Sequence, residues 1–289
     1  MEPTLNISGH TKMVCLIGSP VEHSMSPAMH NAAFAKLGVD YCYLAFDVQP
    51  EQLETAIKGL RELGFAGANV TMPCKTHVLQ YLDELTPAAE LMGAVNTIEV
   101  KGDKLIGHNT DGAGFMRNLD NHGVVYKGKK ITINGAGGAG SAIFTQAALD
   151  GVSAIDVFNI KDEFFDSTAE RVRVLSEKTG VPVTLHDLAD RDQLAKSVSE
   201  SAVFINATRV GMPPLEDQCT LDEDMLHDGL AVADTVYEPR ETKLIKMAKS
   251  HGLTACPGVG MLLCQAALGE EIWTGQAMPI DYIEEKFYK

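Results

Sequence analysis

The sequence has no apolar run approaching the roughly eighteen residues of a membrane span, which speaks against a helical membrane protein. Its opening, Met1-Glu2-Pro3-Thr4, lacks the basic-then-apolar pattern of a secretory signal, and a cytoplasmic protein is expected. None of the 6 cysteines (Cys15, Cys42, Cys74, Cys219, Cys256 and Cys264) forms a Cys-x-x-Cys pair. Several lie inside apolar runs and read as buried free thiols, not as a metal or disulfide framework. Cationic side chains are in deficit, 24 Lys and Arg against 39 Asp and Glu, for a net charge of −15. Such a surface argues against nucleic acid, whose backbone demands basic contacts. It leaves room for a small anion, which needs only a local positive pocket. His10, His77, His108, His186, His227 and His251 share no spacing with cysteine or carboxylate, so no metal site is expected. There is no internal repeat and no low-complexity segment.

What is present is ordinary globular chemistry, 45% apolar and 22% charged over 289 residues, a length comfortable for two domains. The pattern alternates strand and helix, which implies an α/β fold with right-handed crossovers and mostly parallel sheets. The first strand is Lys12 to Gly18, followed by a hydroxyl-rich loop, Ser19 to Pro27. Ser26-Pro27 predicts a helix with Ser26 as N-cap and Pro27 at its first position. His30, Ala33, Phe34 and Leu37 form its buried stripe, and Gly38 ends it. His30 on that stripe reads as a packed core histidine. Tyr41 to Phe46 is the next strand, and Gln52 to Leu63 an amphipathic helix with Leu53, Ile57 and Leu60 inward.

The apolar run Gly64 to Ala68 then leads into Asn69-Val70-Thr71-Met72-Pro73-Cys74-Lys75. Pro73 predicts a helix start, and Val78, Leu79 and Leu82 fall on one side at helical spacing. Lys75 would then occupy the first turn, where an ammonium is disfavoured, as suits a catalytic base. Met92 to Val100 reads as a strand with Asn96 inside it. A hairpin through Lys101-Gly102-Asp103 follows, then Asn109-Thr110-Asp111-Gly112, with Asp111 placed to cap the helix Ala113 to Asn121.

The second half opens with the strand Lys130 to Asn134, then Gly135-Ala136-Gly137-Gly138-Ala139-Gly140, then a helix from Ser141. Strand, G-x-G-x-x-G and helix in that order predict a dinucleotide site with the pyrophosphate at the helix N-terminus. The ribose-reading residue belongs about twenty residues on, after the strand Ala154 to Phe158. Strands at Val183 to Leu185, Ala202 to Asn206, Gly229 to Ala233 and Leu253 to Cys256 complete that domain. Gly260 to Leu268 is a helix. The expected division is a first domain over residues 1–115 and a nucleotide-binding domain over 116–259, with the helices of 260–289 packing back on the first.

Gly18-Ser19-Pro20, His23-Ser24-Met25-Ser26-Pro27 with His30-Asn31, Asn69-Val70-Thr71 with Pro73 and Lys75, Asn96-Thr97 and Asn109-Thr110-Asp111-Gly112 resemble the signatures of shikimate dehydrogenases, in the family's order. Asn206-Ala207-Thr208, Gly211-Met212, Tyr237-Glu238-Pro239, and Gly260-Met261-Leu262 with Gln265-Ala266 extend the resemblance over nearly the whole chain. Among subgroups it looks closest to the quinate/shikimate dehydrogenase branch. The resemblance implies an N-terminal substrate-binding α/β domain, a Rossmann-type domain and an active site in the interdomain cleft. It implies Lys75 and Asp111 as the catalytic pair. The carboxylate of Asp111 would favour the Lys75 ammonium, opposing the helix-start effect. Ser24 and Ser26 would take the substrate carboxylate, with Tyr237 near it, and Asn69, Thr71, Asn96 and Gln265 the ring hydroxyls. Gly135, Ala136, Gly137, Gly138, Ala139, Asn159, Lys161, Asp162, Phe164, Thr208 and Gly258 would bind the cofactor.

Many NADP-using members carry Asn-Arg-Thr after the second nucleotide-domain strand, whereas this chain reads Asn159-Ile160-Lys161-Asp162. Ile160 cannot pair with a 2′-phosphate, and Asp162 would accept hydrogen bonds from an unphosphorylated ribose. NAD is therefore expected, with Lys161 keeping NADP open as a point charge. Quinate is a second substrate to test, because Thr71 adds a methyl where serine also occurs. The implied partners are shikimate and the dinucleotide, and a homodimer stays open. The rivals are an NADP-specific enzyme, a non-turnover sensor of the same ligands, and a methylene-tetrahydrofolate-type dehydrogenase. Retention of Lys75 with Asp111 argues against the sensor, and the paired serines before Pro27 against the folate enzyme.

Overall fold

The computed structural model describes residues 6–288, so the Met1-Glu2-Pro3-Thr4 opening lies outside the described residues. The chain divides into two compact units, one of residues up to Thr110 together with Gln265 onward, the other Asp111–Cys264.

The first unit runs β1 (Lys12–Gly18), α1 (Ser26–Leu37), β2 (Tyr41–Asp47), α2 (Leu53–Glu62), β3 (Gly67–Val70), β4 (Glu84–Leu85), α3 (Pro87–Met92), β5 (Thr97–Lys101) and β6 (Lys104–His108). Its sheet has the order β2-β1-β3-β5-β6-β4. β1 pairs in parallel with β2 and β3, but β3–β5 and β5–β6 are antiparallel. β4–β6 is parallel again, so the sheet is still mostly parallel; the antiparallel β5–β6 pair forms where the short turn at Gly102 (φ +60°) joins the two strands as the expected hairpin. Leu53, Ile57 and Leu60 of α2 are buried with Cys15, Ile17, Val70 and Ile98, the face that the helical spacing marks as inward.

Three local expectations also change. Met92 ends α3, and Gly93 caps it in the left-handed region (φ 65°) before the strand resumes at Thr97. α1 begins at Ser26 with Met25 at the N-cap, and no side chain caps it. Instead the Ser24 hydroxyl accepts from the Ser26 N–H at 3.2 Å, closing a local turn. After Pro73 no α-helix forms: turns run to His77 and a single 3-10 turn covers Val78–Tyr81. The Lys75 carbonyl that would bond within such a helix accepts from Val95 N–H at 2.9 Å, so tertiary pairing replaces the helical ladder. The helix-start effect on the Lys75 ammonium falls with the helix.

The second unit contains α4 (Thr110–Asn121), β7 (Lys130–Asn134), α5 (Gly138–Leu149), β8 (Ala154–Asn159), α6 (Phe165–Thr179), β9 (Val183–Asp187), α7 (Arg191–Ser199), β10 (Val203–Asn206), β11 (Ala231–Asp234), α8 (Lys243–Ser250) and β12 (Ala255–Cys256). α4 begins at Thr110, so Asp111 lies in its first turn and does not cap it. The division between units falls within the next helix, α9 (Gly258–Thr274), and α10 (Ile280–Phe287) follows. All strands of the second sheet pair in parallel, in the order β12-β11-β10-β7-β8-β9. β7 is flanked by β8 and β10, so the strand order reverses at the C-terminal end of β7, where α/β sheets open a crevice. In the first unit the end of α9 is anchored by Trp273, whose Nε1–H donates to the Ile98 carbonyl at 3.0 Å. No helix among the described residues is long and apolar enough to cross a membrane.

Candidate active site

The glycine-rich turn sits at that reversal. Gly135 has φ +100°, and a Cβ there would stand 2.6 Å from the Ala207 carbonyl oxygen. A Cβ on Gly140 would meet the Gly135 carbonyl at 2.0 Å, so this glycine is needed for helix α5 to close on the turn. Gly137 and Gly138 face open space instead. Two glycines therefore shape the turn and two leave room outside it, at the N-terminus of a twelve-residue helix. This arrangement fits a dinucleotide: Gly137, Gly138 and Ala139 would hold the pyrophosphate against backbone amides.

Asn159, at the end of β8, supports the turn, with its Oδ1 accepting from Ala136 N–H at 3.1 Å. Beyond it Ile160 (59% exposed) and Phe164 (63%) stand in solvent. The Asp162 Oδ1 accepts from the Phe164 N–H at 3.0 Å, which fixes the carboxylate in the loop before α6. The Lys161 ammonium lies 5.8 Å from the Phe165 ring centre. Thr208 donates to Asn206 Oδ1 at 2.7 Å and accepts from Val210 N–H. Gly258 opens α9 where a Cβ would strike the carbonyls of Thr235 and Val236 at 2.5 Å, so its role in this geometry is close packing beside the Tyr237 segment. Tyr237 is 48% exposed.

Behind that segment lies a carboxylate that sequence reasoning missed. Asp234, at the end of β11, is wholly buried. It accepts from Asn206 Nδ2 and Val236 N–H, both at 2.9 Å, and from the Thr242 hydroxyl at 2.7 Å. Burial outweighs these donors and pushes the carboxyl up to about 6. Asp234 thereby ties the Thr208 loop to the Val236–Tyr237 segment. The only signal in the sequence was an aspartate closing an apolar strand.

In the first unit, the candidate substrate residues gather at the ends of β3 and β5. The Asn69 Nδ2 donates to Thr97 Oγ1 at 3.1 Å and to the Asn96 carbonyl at 3.2 Å. The Asn96 Oδ1 accepts from Thr110 N–H at 2.8 Å, and its Nδ2 donates to Thr110 Oγ1 at 2.9 Å. Asn96 thus leads directly to the residue before Asp111. Thr71 donates its N–H to the Ile17 carbonyl, and its methyl group occupies the space above Gly18. Lys75 and Asp111 are each half-buried, one in each unit. Gln265 lies half-buried on α9. Cys74 turns away from this cluster, fully buried, with its thiol donating to the Val48 carbonyl at 3.3 Å.

Two further residues were not singled out from the sequence. The Tyr43 hydroxyl donates to Asn69 Oδ1 at 2.7 Å, a contact that its place in the strand Tyr41 to Phe46 does not announce. Glu270 is buried on α9 with Oε1 at 2.7 Å from His30 Nδ1, and its signal was a carboxylate inside an apolar stretch. Burial pushes the Glu270 carboxyl up, and His30 opposes this. His30 itself is 1% exposed, in agreement with a packed role. Among the described residues no cluster of three or more His, Cys, Asp or Glu is arranged to hold a metal ion.

Parallel sheet, strand reversal and open glycine cradle define a Rossmann-type dinucleotide-binding α/β protein. Residues 16–98 match the model of the shikimate dehydrogenase substrate binding domain, and residues 258–286 that of the shikimate 5′-dehydrogenase C-terminal domain. Shikimate dehydrogenase (NADP(+)) of Listeria monocytogenes serotype 4b is 49% identical over 98% of this chain and 97% of its own. The crystal structure of shikimate 5-dehydrogenase from Listeria monocytogenes in complex with shikimate and NAD superposes with a TM-score of 0.94, at 49% identity over 98% of both chains. Quinate dehydrogenase from Corynebacterium glutamicum in complex with NAD is 29% identical, with a TM-score of 0.84 over 96% of this chain and 98% of that one. The chain belongs to the shikimate dehydrogenase family, and it is an oxidoreductase.

Proposed function

We propose that the protein catalyses the reversible oxidation of the shikimate ring hydroxyl to the 3-dehydro ketone, in the cytoplasm and with NAD as the favoured cofactor. The observation that carries this reading is the oriented cluster Asn69, Thr97, Asn96 and Thr110, flanked in sequence by Lys75 and Asp111. A polyhydroxylated ring needs several fixed hydrogen-bond partners around one proton relay, and these residue types supply them. Ser24 and Ser26 take the carboxylate, with Tyr237 near it. Asn69, Thr71, Asn96 and Gln265 take the ring hydroxyls. The Lys75 amine accepts the hydroxyl proton as the carbon gives up hydride, and the Asp111 carboxylate orients the same hydroxyl. Bound nicotinamide supplies the hydride acceptor.

The preference for NAD rests on Ile160, exposed and uncharged where many NADP users carry arginine, and on the fixed Asp162 carboxylate. NADP is the second reading, favoured by the name of the Listeria relative, and Lys161 is the cation available to it. The test is an initial-rate grid of shikimate and quinate, each against NAD and NADP, with Lys75→Ala alongside. Turnover of shikimate with NAD above NADP is expected. A strong NADP preference would overturn the reading of Ile160 and Asp162, and comparable quinate rates would place the enzyme with the dual-substrate branch. Lys75→Ala should lower kcat by about 10²- to 10⁴-fold with the Kd for NAD unchanged. Equal loss of turnover and cofactor affinity would remove Lys75 from the relay.

A further inference from the structure

The amide of Asn69 has a fixed polarity. One of its partners is the Asn96 backbone carbonyl, which can only accept, so the atom facing it must be Nδ2. With the second Nδ2 proton given to Thr97 Oγ1, both amide protons are spent, and Oδ1 points at the Tyr43 hydroxyl. An oxygen there obliges Tyr43 to donate its single proton to Asn69. The direction of each bond follows from one carbonyl. What remains free on Asn69 is a lone pair.

Tyr43 has no freedom to relax this order. Its ring is wholly buried and stacks on the His30 imidazole, with centroids 4.5 Å apart and planes at 13°. The imidazole is held in turn by Glu270 at 2.7 Å and bordered by Trp273 at 5.7 Å. The other Glu270 oxygen, Oε2, is buried with no hydrogen-bond partner. Keeping a carboxyl there for a single contact is costly, and the contact it keeps is the one that orients His30.

We propose that Tyr43 is a specificity-determining residue: its hydroxyl, donating to Oδ1 while the Asn96 carbonyl takes Nδ2, holds Asn69 in place as an acceptor, so the site selects a ring substrate that presents a hydroxyl proton at that position, with Glu270 and His30 holding the Tyr43 ring in place. The proposal rests on Asn69 contacting substrate, as in the function proposed above. A keto or ether oxygen at the same position has no proton to offer and meets a lone pair.

The test compares shikimate with its mono-O-methyl ethers as substrates for wild type, Tyr43→Phe, Glu270→Ala, Glu270→Gln and Asn69→Ala. Tyr43→Phe keeps the stacked ring and removes the donor that holds Asn69 Oδ1, leaving the amide anchored on its Nδ2 side alone. Its KM for shikimate should rise about tenfold, with kcat within about twofold and the KM for NAD unchanged. The handicap of the ether blocked at the Asn69 position should shrink at the same time. Glu270→Ala should reproduce the KM change, and Glu270→Gln, whose amide oxygen still accepts from His30, should restore it. If Tyr43→Phe lowers the melting temperature but leaves KM and the ether discrimination unmoved, Tyr43 is only structural and the proposal is overturned. If Asn69→Ala raises the shikimate KM while Tyr43→Phe does not, this inference falls and the substrate role of Asn69 stands. If Asn69→Ala itself leaves KM unchanged, both fall together.

Discussion

At the scale of single residues, the polar groups with the greatest consequence are those whose partners lie far away in sequence. Asp234 meets Asn206, Val236 and Thr242 only after the β10–β11 crossover has formed, so an aspartate closing a strand announces nothing by itself. Its carboxyl, raised from 3.8 to about 6 by burial, gives a test with a definite sign. A carboxyl whose folded value lies above its unfolded one binds more protons when folded. Its contribution to stability is therefore greatest below about pH 4 and is lost as pH rises through about 6, by an amount on the order of 3 kcal/mol. The stability difference between wild type and Asp234→Asn, measured by urea unfolding, should narrow between those limits and then level off. A difference that stays flat or widens across the window would contradict the raised carboxyl. Lys75, Asp111, Ser24, Ser26, Asn69 and Asn96 could be named from the chain because they fall within short contiguous patterns. Tyr43 and Glu270 could not, because one looks like strand core and the other finds His30 240 positions away.

Elements were legible in proportion to how far local chemistry controlled them. α2 and β7 to α5 follow their hydrophobic spacing and their glycines, and appear within a few residues of the expected bounds. The segment after Pro73 carries equally good helical spacing, yet the demand of Val95 for the Lys75 carbonyl overrides it. The strand expected from Met92 to Val100 loses its start, because Met92 ends the six-residue α3 and Gly93 marks the break. The glycine-rich turn allows a sharper element-level prediction, since its glycines do different work. Gly137 has φ −68°, which any residue adopts, and nothing stands within 4 Å of a Cβ built there. Gly137→Ala should leave stability within about 0.5 kcal/mol, yet weaken dinucleotide binding if the turn takes the pyrophosphate, because the methyl would fill the open space there. Gly140→Ala drives a methyl into the Gly135 carbonyl and should destabilise by about 1–3 kcal/mol. Urea unfolding paired with a dinucleotide Kd for each variant separates the two. A Gly137→Ala protein with unchanged Kd would remove the pyrophosphate from the turn.

For the molecule as a whole, the two sheets differ in what they reveal. Strand–helix alternation and right-handed crossovers imply a parallel sheet, so the second sheet, ordered β12-β11-β10-β7-β8-β9, was legible as a class though not in its order. The first sheet mixes parallel and antiparallel pairs, and its order depends on a hairpin and on where the two-residue β4 docks, neither of which periodicity reports. Cysteine chemistry offers a test that samples both units at once. All 6 cysteines are free thiols; Cys15, Cys42, Cys74, Cys256 and Cys264 are buried, and Cys219 is half-buried. Burial pushes the thiols of Cys15 and Cys256 up to about 12, so neither forms thiolate near neutral pH. Burial also raises Cys219, though less completely, because nearby backbone amides and Lys243 favour its thiolate. Thiolate is the reactive species, so reaction with a disulfide reagent requires both access and ionisation. The native protein at pH 7.5 should therefore release colour from at most one thiol, slowly, and from all six once unfolded in guanidinium. Carboxymethylation followed by peptide mapping should place the native modification at Cys219. Rapid native reaction of three or more thiols, or fewer than six after unfolding in guanidinium without reductant, would contradict the packing of the cores around Cys15 and Cys74 and the free state of the cysteines, respectively.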